Sequence, residues 1–294
     1  MTSKPNVNSK NNLEPGLYLV ATPIGNMYDL SERACSILKK VDIIACEDTR
    51  VTKKLLNRHK ITSQIKTYHE HNAKNVRPKL VKQIEGGKSV GLVSDAGTPV
   101  ISDPGYKLVK ECIERNLNVS AIPGPSAAIS GLIISGLPTD RFFFVGFLKP
   151  KSKQKRLELL ELSNIAATLV FFESNRRLLT TLQIMLDVLG DRPAAIAREM
   201  TKRHEEIRRD KLSSLTQHYQ KQGAPKGEIV IIVGGHIDKR PVSDDKLDKM
   251  ILEYLQNFSL RDTAANVALK TSVSKRRIYT RALSLQQKVP DKAF

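Results

Sequence analysis

From Gly16 onward, short runs of apolar and β-branched residues alternate with stretches whose apolar positions recur every three or four residues. That alternation predicts buried strands separated by amphipathic helices, and so an α/β fold with a largely parallel sheet. Strands are expected at 17–21, 43–46, 65–68, 89–93 and 119–122. A helix is expected to open near Asp29, with Glu32 as capping partner and Leu30, Ala34, Ile37, Leu38 and Val41 along one face. Later helices carry Leu55 and Leu56, then Val76, Leu80 and Ile84, then Leu108, Val109, Cys112 and Ile113. Gly86-Gly87 is read as a helix stop, and Asp103-Pro104 as a cap with proline in the first turn.

After Ile122, Pro-Gly-Pro-Ser-Ala-Ala turns into a small-residue helix, and a second series follows with strands at 142–147, 168–172, 194–198, 207–209 and 229–234. Helices through Leu157 and Leu160, and through Leu178, Leu182, Met185 and Leu189, separate these strands. Strand signals then stop, and three helices are expected at 244–257, 260–269 and 274–286, with the spacing of a helix-turn-helix bundle. The expected organisation is a disordered tail (1–15), an N-terminal α/β lobe (16–122), a C-terminal α/β lobe (123–238) and a helical basic domain (239–294).

Charge adds a partner to this picture. The chain has 48 Lys and Arg against 30 Asp and Glu, a formal net charge of +18, which points to a polyanion such as nucleic acid. Basic residues crowd three regions: Lys149, Lys151, Lys153, Lys155 and Arg156; Arg198, Lys202, Arg203, Arg208, Arg209 and Lys211; and Lys275, Arg276, Arg277 and Arg281. Trp is absent and aromatics are few, so recognition by shape is expected to outweigh base stacking. The 3 cysteines form no C-x-x-C pair, which argues against a disulfide framework or a zinc site. No apolar run reaches membrane-spanning length and the first residues lack a signal-peptide core, so a cytoplasmic location is expected.

Candidate chemistry collects at strand ends, the edge where open α/β sheets bind ligands. The first strand empties into Ala-Thr-Pro-Ile-Gly-Asn, where Pro23 and Gly25 make a tight turn unlike a G-x-G-x-x-G loop. The second ends in Cys-Glu-Asp-Thr-Arg, presenting Glu47, Asp48 and Arg50; the third ends in Tyr-His-Glu-His-Asn, presenting His69, Glu70 and Asn72. Helix capping is the alternative reading of Asp48, and a solvated turn that of the histidines. No third ligand accompanies His69 and His71 at diagnostic spacing, so no metal is expected. The fourth strand ends in Ser-Asp-Ala-Gly-Thr-Pro-Val-Ile-Ser-Asp-Pro-Gly (94–105), two small-residue turns carrying Asp95 and Asp103. The turn Pro-Gly-Pro-Ser-Ala (123–127) adds a helix N-terminus, and together these turns mark a ligand crevice.

These segments, with Phe-Phe-Glu-Ser-x-Arg-Arg, Arg-Glu-Met-Thr-Lys-x-x-Glu-Glu and Lys-Gly-Glu-Ile-Val-Ile-Ile-Val, occur in one order from Gly16 to about Gly235. In that order they resemble the ribosomal RNA small subunit methyltransferase I family, of the tetrapyrrole-methylase fold superfamily. The resemblance implies two α/β lobes with S-adenosylmethionine between them, a homodimer, and methyl transfer to a cytidine ribose 2′-hydroxyl of 16S rRNA in the decoding centre. Carried over residue by residue, it implies cofactor contacts at Pro23, Gly25, Asp95, Ala96, Gly97, Thr98, Ser126, Ala127, Phe172, Met200 and Gly227. A ribose hydroxyl needs its proton managed during transfer. The expected acceptor side is Glu47, Asp48, Arg50, His69, Glu70 and Asn72, with Glu47 or His69 taking the proton and Arg50 holding a phosphate. Ser102 and Asp103 are expected mainly to cap the following helix. Two other readings stand beside this one: a tetrapyrrole methyltransferase of the same fold, which leaves the basic helical region without a use, and a non-catalytic ribosome assembly factor, which leaves the paired turns without one.

Overall fold

The computed structural model describes residues 13–237, 243–271 and 273–286, in two compact units, Met1–Gly234 and Gly235–Phe294. Of the tail expected at 1–15, residues 1–12 lie outside the described residues. The remainder is anchored: Leu13 packs against the core and the Tyr18 hydroxyl donates to the Glu14 carbonyl at 2.8 Å.

The first unit opens with β1 (Gly16–Val20), α1 (Glu32–Lys40), β2 (Ile43–Cys46), α2 (Thr49–Arg58), β3 (Gln64–Thr67), α3 (Ala73–Glu85), β4 (Ser89–Val93), α4 (Tyr106–Glu114) and β5 (Val119–Ile122). The five strands form an all-parallel sheet in the order β3-β2-β4-β1-β5. β2 and β4 are buried at every position, because helices cover both faces of a parallel sheet. Side-chain alternation sends Ile44 and Cys46 toward α1 and α2, and Ile43 and Ala45 toward α3 and α4.

The unit continues with α5 (Ala127–Ile134), β6 (Phe142–Phe147), α6 (Ser152–Leu162), β7 (Thr168–Ser174), α7 (Leu178–Leu189), β8 (Pro193–Arg198), β9 (Glu206–Lys211), α8 (Leu212–Gln222) and β10 (Glu228–Val233). Here the sheet order is β6-β7-β10-β8-β9, with β6 parallel to β7 and the remaining pairs antiparallel. α6, α7 and α8 bury Phe171, Ile196 and Ile231 on one face. On the other, α5 meets Val170, Ala195, Val230 and Ile232. Gly131 permits the close approach of α5 to β10, since a Cβ there would stand 3.1 Å from Val230 Cγ1. Ile24, from the loop after β1, belongs to this same cluster and so ties the two sheets together.

Three local expectations are corrected. The first helix is capped by Ser31, whose Oγ accepts from the Ala34 amide at 3.1 Å; Asp29 instead ends a short 3-10 turn, Met27–Asp29, capped by Asn26. Ser31 wins because it stands directly before the amphipathic run, with Glu32 in the first turn. α4 does not begin at Asp103-Pro104: Gly105, at φ +143°, precedes it with no side-chain cap. α8 was not anticipated, although Leu212, Leu215 and Tyr219 are spaced as one helical face.

The second unit holds α9 (Asp244–Leu255), α10 (Leu260–Lys270) and α11 (Lys275–Gln286) around Leu247, Ile251, Ala264, Val267, Ile278 and Ala282. Ser243 and Ser259 cap the first two helices. Arg281 pairs with Asp244 and Asp248, and Arg277 with Asp244, so half of the basic residues expected to load the last helix hold this bundle together.

Candidate active site

A cavity of about 380 Å³ lies where the strand ends of the first sheet meet the second. The loop after β4 contributes residues Asp95 to Thr98 and Ile101 to Asp103, and the turn after β5 contributes Ser126 and Ala127. The opposite wall is Phe147, residues Phe172 to Asn175, Met200 and residues Gly227 to Val230. Nine of the residues expected to hold a cofactor, Asp95, Ala96, Gly97, Thr98, Ser126, Ala127, Phe172, Met200 and Gly227, therefore face one space. Pro23 and Gly25 line a smaller adjoining cavity of about 180 Å³, which shares Ile24, Asp95, Ala96 and Glu228 with the larger one.

The loop after β4 is held by a mesh of short bonds. Thr22 and Gly97 exchange both backbone hydrogen bonds, at 2.9 and 3.0 Å. Ser94 Oγ donates to the Gly97 carbonyl at 3.2 Å, and Thr98 Oγ1 donates to the Pro125 carbonyl at 3.1 Å, joining the two turns. Gly97, Val100, Ser102 and Gly105 all have positive φ, and for the β-branched Val100 this is a strained conformation. Strain of this kind persists only where the surroundings over-determine it, and it concentrates at functional sites.

The second wall depends on two glycines. A Cβ on Gly227, at φ +113°, would stand 2.4 Å from Glu199 Cγ. Glu199 is itself fixed, accepting from the Glu228 amide and from Lys202 Nζ, each at 2.9 Å. A Cβ on Gly25 would meet Thr201 Oγ1 at 2.7 Å and the Met200 carbonyl at 3.0 Å. Gly25 thus closes the loop after β1 against the segment after β8, and the adjacent Asn26 amide donates to Thr201 Oγ1 at 3.0 Å.

Carboxylates set the electrostatics of the first wall. Burial, then the nearby Glu47 and Asp95, pushes the Asp103 carboxyl up to about 6 despite a hydrogen bond from Ser94. Burial followed by the Asp95 charge also raises Glu47, and burial raises Asp95 against the amide of Asp48, which donates to Asp95 Oδ1 at 3.0 Å. Three carboxyls whose ionised forms are disfavoured thus gather beside one cavity, an arrangement that a cation would relieve. Among the described residues, no group of three or more His, Cys, Asp or Glu is placed to hold a metal ion.

The six residues of the expected acceptor side divide by role, and none lines either cavity. Asp48 caps α2 through the Arg50 amide at 2.8 Å and pairs with the Arg50 guanidinium at 2.6 Å, which holds its carboxyl down at about 2. Arg50 remains 87% exposed beyond that pair. The His69 amide donates to Asn72 Oδ1 at 2.9 Å, the Asn72 amide donates to His69 Nδ1 at 3.3 Å, and Asn72 Nδ2 donates to the Thr67 carbonyl. Asn72 is therefore a turn builder. The Asn72 amide is shared between His69 Nδ1 and the His69 carbonyl, at 3.3 and 3.1 Å, which orients the imidazole at the end of β3. Glu70 is exposed; Asp48 and Arg50 act on the charge of Asp95, and Glu47 is the member that raises Asp103.

The sequence set the Asp103 carboxylate at the strand-end crevice but left it out of the cofactor contacts in favour of capping, and stopped at Phe172 in Phe-Phe-Glu-Ser; Asp103, Glu173, Ser174 and Asn175 all line the cavity. Glu173, 3% exposed, accepts from Thr181 Oγ1 at 2.5 Å, from the Ser174 amide at 2.8 Å, from Arg177 Nη2 at 3.2 Å and from Lys155 Nζ at 3.5 Å. Lys155, placed with the RNA-facing lysines by its neighbours in sequence, is 2% exposed and cannot serve that role. In the second basic region, Arg198 pairs with Glu206, Lys202 with Glu199 and Glu228, and Arg209 donates to the Ile134 carbonyl at 2.7 Å. Much of the basic excess there is structural.

The model of the Tetrapyrrole (Corrin/Porphyrin) Methylases matches residues 16–216. The ribosomal RNA small subunit methyltransferase I of Mesorhizobium japonicum is 47% identical over 275 residues, covering 93% of each chain. The chain belongs to that methyltransferase family. Another member, from Escherichia coli O157:H7, is 40% identical and covers 95% of this chain and 98% of its own. The Thermotoga maritima member is 45% identical over 219 residues, 74% of this chain and 98% of its own, a stretch no longer than the first unit. Among solved structures, uroporphyrin-III C-methyl transferase from Thermus thermophilus, complexed with S-adenyl homocysteine, superposes with a TM-score of 0.53 at 19% identity. That superposition covers 74% of this chain and 97% of the other. Diphthine synthase superposes at 0.56 with 14% identity, covering 75% and 90%. At such identities the likeness establishes the fold, which the rRNA methyltransferase family shares with the methylases of tetrapyrroles.

Proposed function

We propose that the protein transfers the methyl group of S-adenosylmethionine to the ribose 2′-hydroxyl of a cytidine in the decoding centre of 16S rRNA. The observation that carries this reading is the cavity itself. Its volume suits a nucleoside with an amino-acid arm, Phe172, Met200, Ile229 and Val230 offer apolar area, and an acid cluster flanks the opposite side. Asp95 to Thr98, Ser126, Ala127, Phe172, Met200 and Gly227 would hold the cofactor, with Pro23 and Gly25 shaping the adjoining wall. The cofactor supplies an electrophilic methyl on a positively charged sulfur. Asp95, Asp103 and Glu47 offset that charge, and Asp103 or Glu47 takes the hydroxyl proton, Asp103 being held at about 6 and Glu47 being raised by burial and by the Asp95 charge. His69, its ring oriented by the Asn72 amide, stands on the acceptor side, and Arg50 takes a phosphate. The protein acts in the cytoplasm on the small ribosomal subunit, as a homodimer in which a second copy covers exposed Ile129 and Ile133 of α5 and Phe142 and Phe143 of the edge strand β6.

Mass spectrometry of 16S rRNA nucleosides from cells lacking the protein tests this reading. One 2′-O-methylcytidine is expected to disappear and to return with the wild-type chain but not with Asp103→Asn and Glu47→Gln combined. An unchanged nucleoside profile overturns the reading.

A further inference from the structure

Beside the smaller cavity a surface groove opens between the loop after β1, the helix α2 and the segment following β8. Its lining includes Met27, Tyr28, Lys54, Arg58, Lys202 and Arg203, and no acidic side chain is among its lining residues. Met27 and Lys202 also line the smaller cavity, which in turn shares Asp95 and Ala96 with the larger one. An unbroken series of walls thus leads from the carboxylate cluster to a cationic surface. None of the three basic runs visible in the sequence includes Lys54 or Arg58.

Tyr28 gives the groove its character. It is 76% exposed, and its backbone and hydroxyl are both bonded to neighbouring residues. Its amide donates to Asn26 Oδ1 at 3.1 Å, and the neighbouring Met27 carbonyl lies 3.2 Å from His59 Nε2. Arg58 Nη2 donates to its hydroxyl at 2.5 Å, and the guanidinium carbon sits 5.1 Å from the ring centroid. A large exposed aromatic ring, bonded through its hydroxyl to Arg58 and set among cations in a groove with no acidic lining residue, has the make-up of a stacking platform for a single-stranded nucleotide. Lys202 is committed to Glu199 and Glu228, which leaves Lys54, Arg58 and Arg203 as the cations placed to meet phosphates.

We infer that this groove receives the single-stranded rRNA nucleotide next to the methylated one, with its base against Tyr28 and its phosphates against Lys54, Arg58 and Arg203. The inference rests on the proposed rRNA methyl transfer and adds to it the path of the substrate strand. The cations steer and position the backbone, and the ring adds sequence-tolerant affinity.

The test uses the full chain and a single-stranded RNA oligonucleotide of mixed sequence, followed by fluorescence anisotropy over a series of salt concentrations. Tyr28→Ala is expected to weaken binding roughly 5- to 100-fold with little change in salt slope, and Tyr28→Phe to keep most of the affinity. Lys54→Ala and Arg203→Ala are each expected to flatten the slope of log affinity against log salt by about 0.7. With ribosomal substrate, all these variants except Tyr28→Phe should raise KM for RNA, while calorimetry finds their S-adenosylmethionine affinity unchanged. Thermal unfolding confirms that each variant is folded. Unchanged RNA affinity in Tyr28→Ala together with unchanged salt slopes in the lysine and arginine variants overturns the inference. So does competition by poly-glutamate as effective as that by RNA, which would mark the groove as a docking site for acidic peptides. Binding reads the groove and transfer reads the activity: a wild-type chain that methylates no rRNA sinks the functional reading, and the anisotropy still decides the groove.

Discussion

The two sheets meet at one cavity and treat charge in opposite ways. The first sheet delivers Asp95 and Asp103, with Glu47 nearby, on strand-end loops where burial and mutual repulsion leave the ionised forms disfavoured. The second delivers Glu173 from within β7 and surrounds it with Lys155, Arg177, Thr181 and the Ser174 amide. A carboxylate satisfied on all sides has no capacity left for chemistry and becomes part of the scaffold. One that still needs a cation or a proton can act on a ligand. The fold thus divides labour between a reactive wall and a rigid one.

The largest effect should come from dismantling the rigid wall. Lys155→Ala removes one of the two cations that face the buried Glu173 and leaves an empty volume, and is expected to cost about 3 kcal/mol in urea denaturation. Replacing both members, as Lys155→Met with Glu173→Gln, should cost much less than the sum of the single changes, and full additivity would break the view of Glu173 as a closed network. Next comes Gly227→Ala, which drives a Cβ into the anchored Glu199 and should lose roughly 1–3 kcal/mol of stability along with S-adenosylmethionine affinity. Gly223→Ala sharpens this case. Gly223 also has positive φ, but nothing lies within 4 Å of its Cβ position, so only backbone strain of about 1 kcal/mol is expected, with cofactor affinity intact.

A pH-dependent effect of intermediate size tests the reactive wall. The Asp103 carboxyl is raised from 3.8 to about 6, so the folded state favours its protonated form. The associated stability is fully present below about pH 3.8 and is lost as pH rises through about 6. Asp103→Asn should therefore raise the melting temperature relative to wild type at pH 8 and give little gain at pH 4. In the wild type, kcat/KM should climb as pH rises through about 6, because the acceptor must be ionised. A flat profile across that range removes Asp103 from the proton path and leaves the role to Glu47. The smallest stability effect belongs to Arg50→Ala at the exposed end of α2. The melting temperature is expected to stay as in the wild type while KM for the ribosomal substrate rises, and an unchanged KM would return the Asp48–Arg50 pair to helix capping alone.

The sequence made visible what repeats along the chain. Strands at 43–46 and 89–93 were found at their observed bounds, because a strand covered on both faces must be apolar throughout and turn residues end it sharply. The tight turns after the first, fourth and fifth strands were equally legible, since glycine and proline write their backbone demands locally. Lys155 was a missed local signal: it stands four residues before Leu159 and seven before Leu162, on the buried stripe of α6, but its lysine-rich surroundings drew attention to charge instead of period. Asp103 was placed at the crevice by its turn, but its raised carboxyl had no local signal. Asp-Pro-Gly reads as a helix start in any chain, and only the folded protein brings Glu47 from the end of β2 and Asp95 from the end of β4 near enough to raise its carboxyl. The same holds for Tyr28, Lys54, Arg58 and Arg203, which come from three separate stretches of chain and meet in one groove. The sequence by itself thus determined the strands, most of the helices, their turns and the family, because side-chain direction repeats with the backbone and turn chemistry is local. Which charges are reactive, which are tied down and where a substrate strand can run were decided by the tertiary structure, since these depend on distances and burial between strand ends far apart along the chain.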